Sequence, residues 1–450
     1  MAQKESSCMG QSSTAFSSAA PRSGWLWVPT LYLAEGFPAA LITTVSLVMF
    51  SSLGVPAEKS LFWTGLYALP WMLRPLWVPL IDRIGTPRMW AIVLQMLMGG
   101  LFAAAGAAAA WGAYFPAISF CFFAAAFASA THDAAADGFY IIALDAPDQA
   151  KFSGIRSALY KGGTVLAQGA FAMLAGYLAK FLAPGAAWGS VYAAAGLVMG
   201  VLGVTHLLTM PSMKKSPVPK EKKSILQFFA PYWEILRSPG FMKAVAFLLL
   251  FRLAESQLRV AVPFLLADRS AGGMGLSVTQ QGFLYGTCGM LALIAGGIIS
   301  GWAVSRHGMK VWLWPMVLAL NVPDLVYVYL SFCRPEALWI TGVCIFIEQL
   351  GYGFGFTLLT LYMVALARGR EGNETSCFAL FTALSLLGVM LPGSFAGYLL
   401  KVPEMLFKNG DALFSYRVFF LWVILCTIPS FAVTALVKEK ICEAFPAPSK

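Results

Sequence analysis

The sequence predicts an all-α integral membrane protein of twelve transmembrane helices, arranged as two six-helix pseudo-repeats around a central cavity. Three observations predict it. Of 450 residues, 59% are hydrophobic and 12% charged, against roughly 25% charged in a soluble domain. Apolar stretches of about 20 residues or more, enough to cross a hydrocarbon core of about 30 Å, recur along the whole chain. Two short motifs also return in the second half at nearly one offset. A soluble helical protein would need polar faces at helical period, which 91–110 and 115–130 lack. A membrane barrel would need short alternating strands, and none is legible.

In chain order, residues 1–24 are polar and rich in Ser and Ala, and read as a disordered cytoplasmic tail. A signal peptide does not fit, because the first apolar run is too long and Lys4 too far from it. The expected spans are 25–50, 60–81, 88–110, 115–142, 153–181 and 187–209, then 240–267, 278–303, 311–332, 337–367, 374–401 and 413–437. They give a bundle over 25–209, a basic linker over 210–239, a second bundle over 240–438 and a tail over 439–450.

The net charge of +10 is a topology signal and does not indicate nucleic acid. With the N-terminus inside, the cytoplasmic segments hold 20 Lys and Arg and the outer loops 7, which places both ends in the cytoplasm. Lys214, Lys215, Lys220, Lys222 and Lys223 make the linker a solvated basic stretch, with attraction to anionic lipid as a side effect. The eight cysteines are scattered singly and read as packing residues. The three histidines, His132, His206 and His307, lie in different segments without ligand spacing. No cofactor, metal or catalytic residue is expected, which argues against an intramembrane enzyme.

The halves match. Ala175-Gly176-Tyr177-Leu178 and Ala396-Gly397-Tyr398-Leu399 close corresponding spans, and Asp82-Arg83-Ile84-Gly85 is echoed by Ser305-Arg306-His307-Gly308. Repeated halves are a signature of secondary transporters, whose site lies between the repeats. The segment 79–88, with Asp82, Arg83, Gly85 and Arg88, resembles the cytoplasmic signature loop of the major facilitator superfamily. There an aspartate can cap a helix and pair with arginine, and a glycine permits the tight turn. Asp82, Arg83, Arg88 and Arg306 are the expected cytoplasmic gate. Thr86 and Pro87 replace the family's usual basic pair.

Charges within spans are costly and mark function. Glu35 lies in the first span, Asp133 and Asp137 in the fourth, Arg252, Glu255 and Arg259 in the seventh and Glu348 in the tenth. In the superfamily this repeat resembles, those four helices line the cavity. Asp133 and Asp137 share a face one turn apart, and Arg252, Glu255 and Arg259 have the spacing of an Arg–Glu–Arg ladder. Asp133, Asp137 and Glu255 are candidates for proton coupling. Arg252, Arg259, Glu35, Glu348, His132 and Lys161 are candidates for binding substrate.

Further segments resemble the AmpG-type muropeptide permeases, a branch that also includes acetyl-CoA transporters and siderophore importers. They are Gly36-Phe37-Pro38, Ser129-Ala130-Thr131-His132-Asp133 with Asp137, Leu250-Phe251-Arg252-Leu253-Ala254-Glu255, Phe346-Ile347-Glu348-Gln349-Leu350, and 378–385. His132 stands where an amide is more usual, and Lys161 where an arginine is common. The resemblance implies a proton-coupled, alternating-access importer of a bulky polar or anionic solute such as a muropeptide, with a siderophore or acetyl-CoA-type cargo as alternatives. A transport-inactive sensor or scaffold is the competing class. The implied partners are a small-molecule solute, protons and membrane lipid. The protein is expected as a monomer, in the inner membrane if bacterial.

Overall fold

The computed structural model describes residues 23–77, 85–112, 115–212, 233, 236–367, 374–406 and 411–446, and among them there is no strand. The first half runs α1 (Gly24–Ser52), α2 (Ala57–Leu66), α3 (Leu69–Leu73), α4 (Pro87–Ala110), α5 (Phe115–Ala143), α6 (Ala146–Val165), α7 (Ala172–Leu178) and α8 (Pro184–Thr209). The second runs α9 (Phe241–Leu250), α10 (Leu253–Gln257), α11 (Ala261–Leu266), α12 (Val278–His307), α13 (Met309–Cys333), α14 (Leu338–Ala367), α15 (Glu374–Leu406) and α16 (Ala412–Ala444).

Among the described residues, nine of these stretches are long and apolar enough to cross a membrane by length and composition: α1, α4, α5, α8 and α12 to α16. The other three expected spans, 60–81, 153–181 and 240–267, are helical but in pieces. The first runs through α2 and α3 into residues outside the described set. The second carries Arg156 and Lys161 on α6, behind Asp148 and Lys151 of the same helix, and passes through a π-helical turn, Leu166–Phe171, into α7. The third is interrupted at Phe251-Arg252 and again by a 3₁₀ turn, Leu258–Val260.

Polar residues between the apolar stretches start the helices. Thr86 accepts from the Met89 amide at 3.2 Å ahead of Pro87, and Asp145 accepts from the Asp148 amide at 2.9 Å. Ser277 and Gln280 form a reciprocal capping box at α12, and Asp411 accepts from Phe414 N at 2.7 Å. Each occupies amides that a helix start leaves without an internal partner. Gly85 and Gly308, which the sequence paired, both take positive φ, 96° and 74°. A side chain would be strained at either turn.

Small residues set the packing, as expected where lipid removes the hydrophobic incentive for helices to associate. A Cβ on Gly189 would stand 2.7 Å from the Gly106 carbonyl oxygen, and one on Gly196 2.6 Å from that of Gly99, so α4 and α8 touch backbone to backbone. The two halves meet in the same manner at one end of the bundle. Gly397 of α15 lies against the Glu58 backbone of α2, and Gly176 of α7 against Thr279 of α12. Lys401 reaches Glu58 at 2.5 Å beside the first crossing, and the Phe62 and Phe395 rings meet edge-on at 5.9 Å.

Candidate functional site

The first-half cluster is built by a close crossing of α1 and α6. A Cβ on Gly36 would run into the Tyr160 carbonyl, and one on Gly163 would stand 2.6 Å from the Leu33 oxygen. That proximity brings Glu35, 5% exposed, into the field of Asp133, Asp137, Arg156 and Arg74. Glu35 Oε1 is buried without a hydrogen-bond partner among the described residues. The two aspartates of α5 do not share a partner. Asp137 is bridged by Arg156 at 2.6 Å and accepts from the Tyr32 hydroxyl at 3.2 Å, while Asp133 accepts from Trp71 Nε1 at 2.8 Å. Arg156 also lies over the Tyr32 ring, 4.6 Å from its centroid.

Arg156, which the sequence did not single out, belongs to α6 and neutralises a carboxylate inside the bundle. Lys161 is on the same helix and exposed. His132 is fully buried, its Nε2 2.8 Å from Gln95 Nε2.

In the second half the predicted Arg–Glu–Arg ladder is replaced by a pair and a separate arginine. Arg252 holds Glu255 through Nε and Nη2 at 2.6 and 2.5 Å and donates to the Tyr352 hydroxyl at 2.9 Å. The Phe356 ring lies 5.0 Å from its guanidinium carbon. The ladder reading assumed an unbroken helix, and the helix is unwound at Arg252 and tightened at 258–260. Arg259 consequently points across the interface between halves, donating to Thr64 Oγ1 at 2.8 Å and toward the Thr43 carbonyl at 3.4 Å. Glu348, 5% exposed, accepts from Gln349 at 2.9 Å and from the Tyr327 hydroxyl at 3.4 Å.

Of the expected gate residues, Arg88 is on α4 and Arg306 on α12. Arg88 donates to the Leu207 and Met210 carbonyls at 2.7 and 3.2 Å, closing the C-terminal end of α8. Arg306 lies over the Trp302 ring at 4.8 Å. Asp82 and Arg83 lie outside the described residues. Chemically, each half combines buried carboxylates with an arginine, an arrangement suited to exchanging a proton and holding an anion. Sequence reasoning missed Trp71, Tyr32 and Tyr352, since aromatic residues facing a site and facing lipid look alike in a string, and it missed Gln95, a lone amide in an apolar stretch.

Relatives include a protein named anhydromuropeptide permease of Escherichia coli (strain K12), 24% identical over 392 residues, 85% of this chain and 74% of that one. Another is named putative transporter AmpG 2 of Rickettsia typhi, 21% identical over 215 residues. That match spans about half of each chain, 48% in both. Among solved structures, a bacterial homolog of the human lysosomal transporter Spinster, inward-facing and occupied, superposes with TM-score 0.70 at 16% identity, covering 96% of this chain and all of that one. The nucleoside transporter NupG gives 0.69 at 13%, covering 92% and 98%. These likenesses carry the fold. The Major Facilitator Superfamily pattern itself matches residues 28–392. With helices around paired half-clusters of buried charge, the chain belongs to the Major Facilitator Superfamily and is a multi-pass membrane transporter rather than an enzyme.

Proposed function

We propose that the chain is a twelve-span secondary active transporter with both termini in the cytoplasm, importing a bulky polar or anionic solute together with protons by alternating access. The observation that carries this reading is the division of buried and half-buried charge. Glu35, Asp133, Asp137 and Arg156 lie in one half and Arg252, Glu255 and Glu348 in the other. Such groups are retained inside a membrane where solute or protons need them. In this scheme Asp133, Asp137 and Glu255 exchange protons, and Arg252 and Arg259 hold anionic groups. Glu35, Glu348, His132 and Lys161 orient the cargo, while Asp82, Arg83, Arg88 and Arg306 control the cytoplasmic end. The crossings at Glu58 and Thr279 then close the outer end, so the arrangement is inward-facing.

An anhydromuropeptide is the leading cargo, because the permease of that name matches this chain over 85% of its length. The test is uptake of labelled anhydromuropeptide into proteoliposomes, with and without an inward proton gradient. Unlabelled siderophore and acetyl-CoA serve as competitors. Gradient-dependent accumulation, lost in folded Asp133→Asn, is the expected result. Uptake indifferent to the gradient would overturn the coupling, and competition only by another cargo would overturn the substrate.

A further inference from the structure

Behind Asp133, on the side away from Trp71, lies a polar chain of which the transport scheme uses His132 alone. It joins four helices. The Thr30 hydroxyl of α1 is 2.9 Å from His206 Nε2 of α8, and His206 Nδ1 is 2.8 Å from Gln95 Oε1 of α4. Gln95 Nε2 is in turn 2.8 Å from His132 Nε2 of α5. Gln95, His132 and His206 are all fully buried. The chain ends at His132 Nδ1, which faces Asp133 Oδ1 at 3.9 Å. Neither of those two buried atoms has a hydrogen-bond partner among the described residues. A hydrogen bond between them requires the two side chains to close that gap.

The donor and acceptor roles are fixed by the amide in the middle. An amide oxygen only accepts and an amide nitrogen only donates. As Gln95 is placed, His206 must carry its proton on Nδ1 and His132 Nε2 must be bare. Neutral His132 then carries its proton on Nδ1 and offers an N–H to Asp133, which suits a carboxylate. Turning the amide by half a turn, together with a change of tautomer from Nδ1–H to Nε2–H at each imidazole, reverses every link without change of shape, because amide O and N are nearly isosteric. His132 Nε2–H then donates to Gln95, Gln95 donates to His206 Nδ1, and His206 Nε2–H donates to Thr30. Thr30 has an outlet for its own proton, because the Trp27 carbonyl lies 3.2 Å from its oxygen. In this second polarity His132 Nδ1 is a bare acceptor, which suits a protonated Asp133. Both polarities satisfy every member, and each matches one protonation state of the acid.

We propose that Gln95 and His206 are positioning residues for Asp133, forming with His132 a reversible hydrogen-bond chain whose direction follows whether Asp133 is a carboxylate or a carboxylic acid. This rests on the reading that Asp133 takes up a proton. Between the two states one proton is added, and it resides on Asp133. Each imidazole carries a single proton before and after, on Nδ1 in the first state and Nε2 in the second. The other charged or titratable groups around Asp133 are Glu35 and Tyr32 of α1, Asp137 of α5, Arg156 and Tyr160 of α6, and Arg74 beside α3.

The chain has three histidines, so the ¹⁵N imidazole spectrum of the full-length, membrane-reconstituted protein is assignable with His132→Asn, His206→Asn and His307→Asn. Across the pH range in which proton-driven uptake changes, His132 and His206 should move together from Nδ1–H to Nε2–H as pH falls, with His307 independent of them. In Gln95→Leu the two rings should lose this concert. The midpoint of the uptake profile should move to higher pH by about one unit, a tenfold change in proton affinity, because a donor to the charged acid is lost. The solute KM should stay within about twofold. Gln95→Asn, which keeps the amide, should recover part of the shift. Fixed tautomers throughout that range would overturn the proposal, as would a doubly protonated His132. A folded Gln95→Leu protein with an unaltered pH profile would overturn it too. A concerted tautomer change in a protein whose uptake ignores protons would leave the chain standing and remove the transport reading instead.

Discussion

At the residue scale, two arginine–carboxylate pairs stand out, and their surroundings predict different behaviour. Arg156 and Asp137 are each about a third exposed, 36% and 35%. Water therefore screens them, and their mutual attraction contributes little to stability. Arg156→Ala should leave the melting temperature within a few degrees of the parent, yet reduce proton-driven uptake at least tenfold. Thermal unfolding and uptake measured on the same preparation check both halves of that statement. Arg252 and Glu255 are more enclosed, at 13% and 21%, and the guanidinium has a further partner in Tyr352. Removing one member leaves a charge with little water to solvate it. Glu255→Leu alone should destabilise by about 3 kcal/mol, and Arg252→Met with Glu255→Leu should recover much of that loss, as expected for an enclosed ion pair. A double variant no more stable than the single one would show that Tyr352 and the Phe356 ring hold the arginine without help.

At the element scale, close crossings decide which glycines can change. A Cβ at Gly36 has nowhere to go against the Tyr160 backbone, whereas one at Gly200 meets nothing within 4 Å. Gly36→Ala should therefore cost about 1–3 kcal/mol through forced separation of α1 and α6, while Gly200→Ala should be neutral or mildly stabilising. Melting of the two single variants distinguishes them. The positions of the apolar stretches were legible because burial in lipid demands length and hydrophobicity, which are properties of the string itself. Glu35, Asp133 and Glu348 were legible for the complementary reason, as ionisable groups where the string is otherwise apolar. The split of Arg252, Glu255 and Arg259 was not. Helix spacing presumes an unbroken helix, and the break at Arg252 is a tertiary outcome, the guanidinium being drawn to Glu255 and Tyr352. Arg156 was hidden by its neighbours: in a segment with Asp148 and Lys151 it reads as loop chemistry. Gln95 and His206 lie far apart in the chain, and nothing in either apolar surrounding announces the other.

At the scale of the whole molecule, two of the contacts that join the halves at one end differ in strength. The Glu58–Lys401 pair is a surface contact, the lysine side chain being 50% exposed, and its worth is about 0.5 kcal/mol. Lys401→Glu should shift the balance between open and closed ends by about twofold, and Glu58→Lys with Lys401→Glu should restore it. Distance distributions between spin labels on the two halves read that balance. The glycine crossings are the firmer contact. Each presses the backbone of one half onto that of the other, at Gly397 with Glu58 and at Gly176 with Thr279.

Those two crossings have a consequence for how the molecule moves. On the glycine side neither contains a side chain that could change rotamer, so neither can yield by degrees; each is seated or lifted. They also lie at matching places in the two halves, Gly176 and Gly397 being 221 residues apart and Glu58 and Thr279 the same. A tilt that lifted one alone would drive the other deeper into backbone that has no slack. In the proposed transport cycle the two would separate in one stroke, so that this end would behave like a snap fastener with two studs, with a discrete open state in place of a continuum of ajar ones.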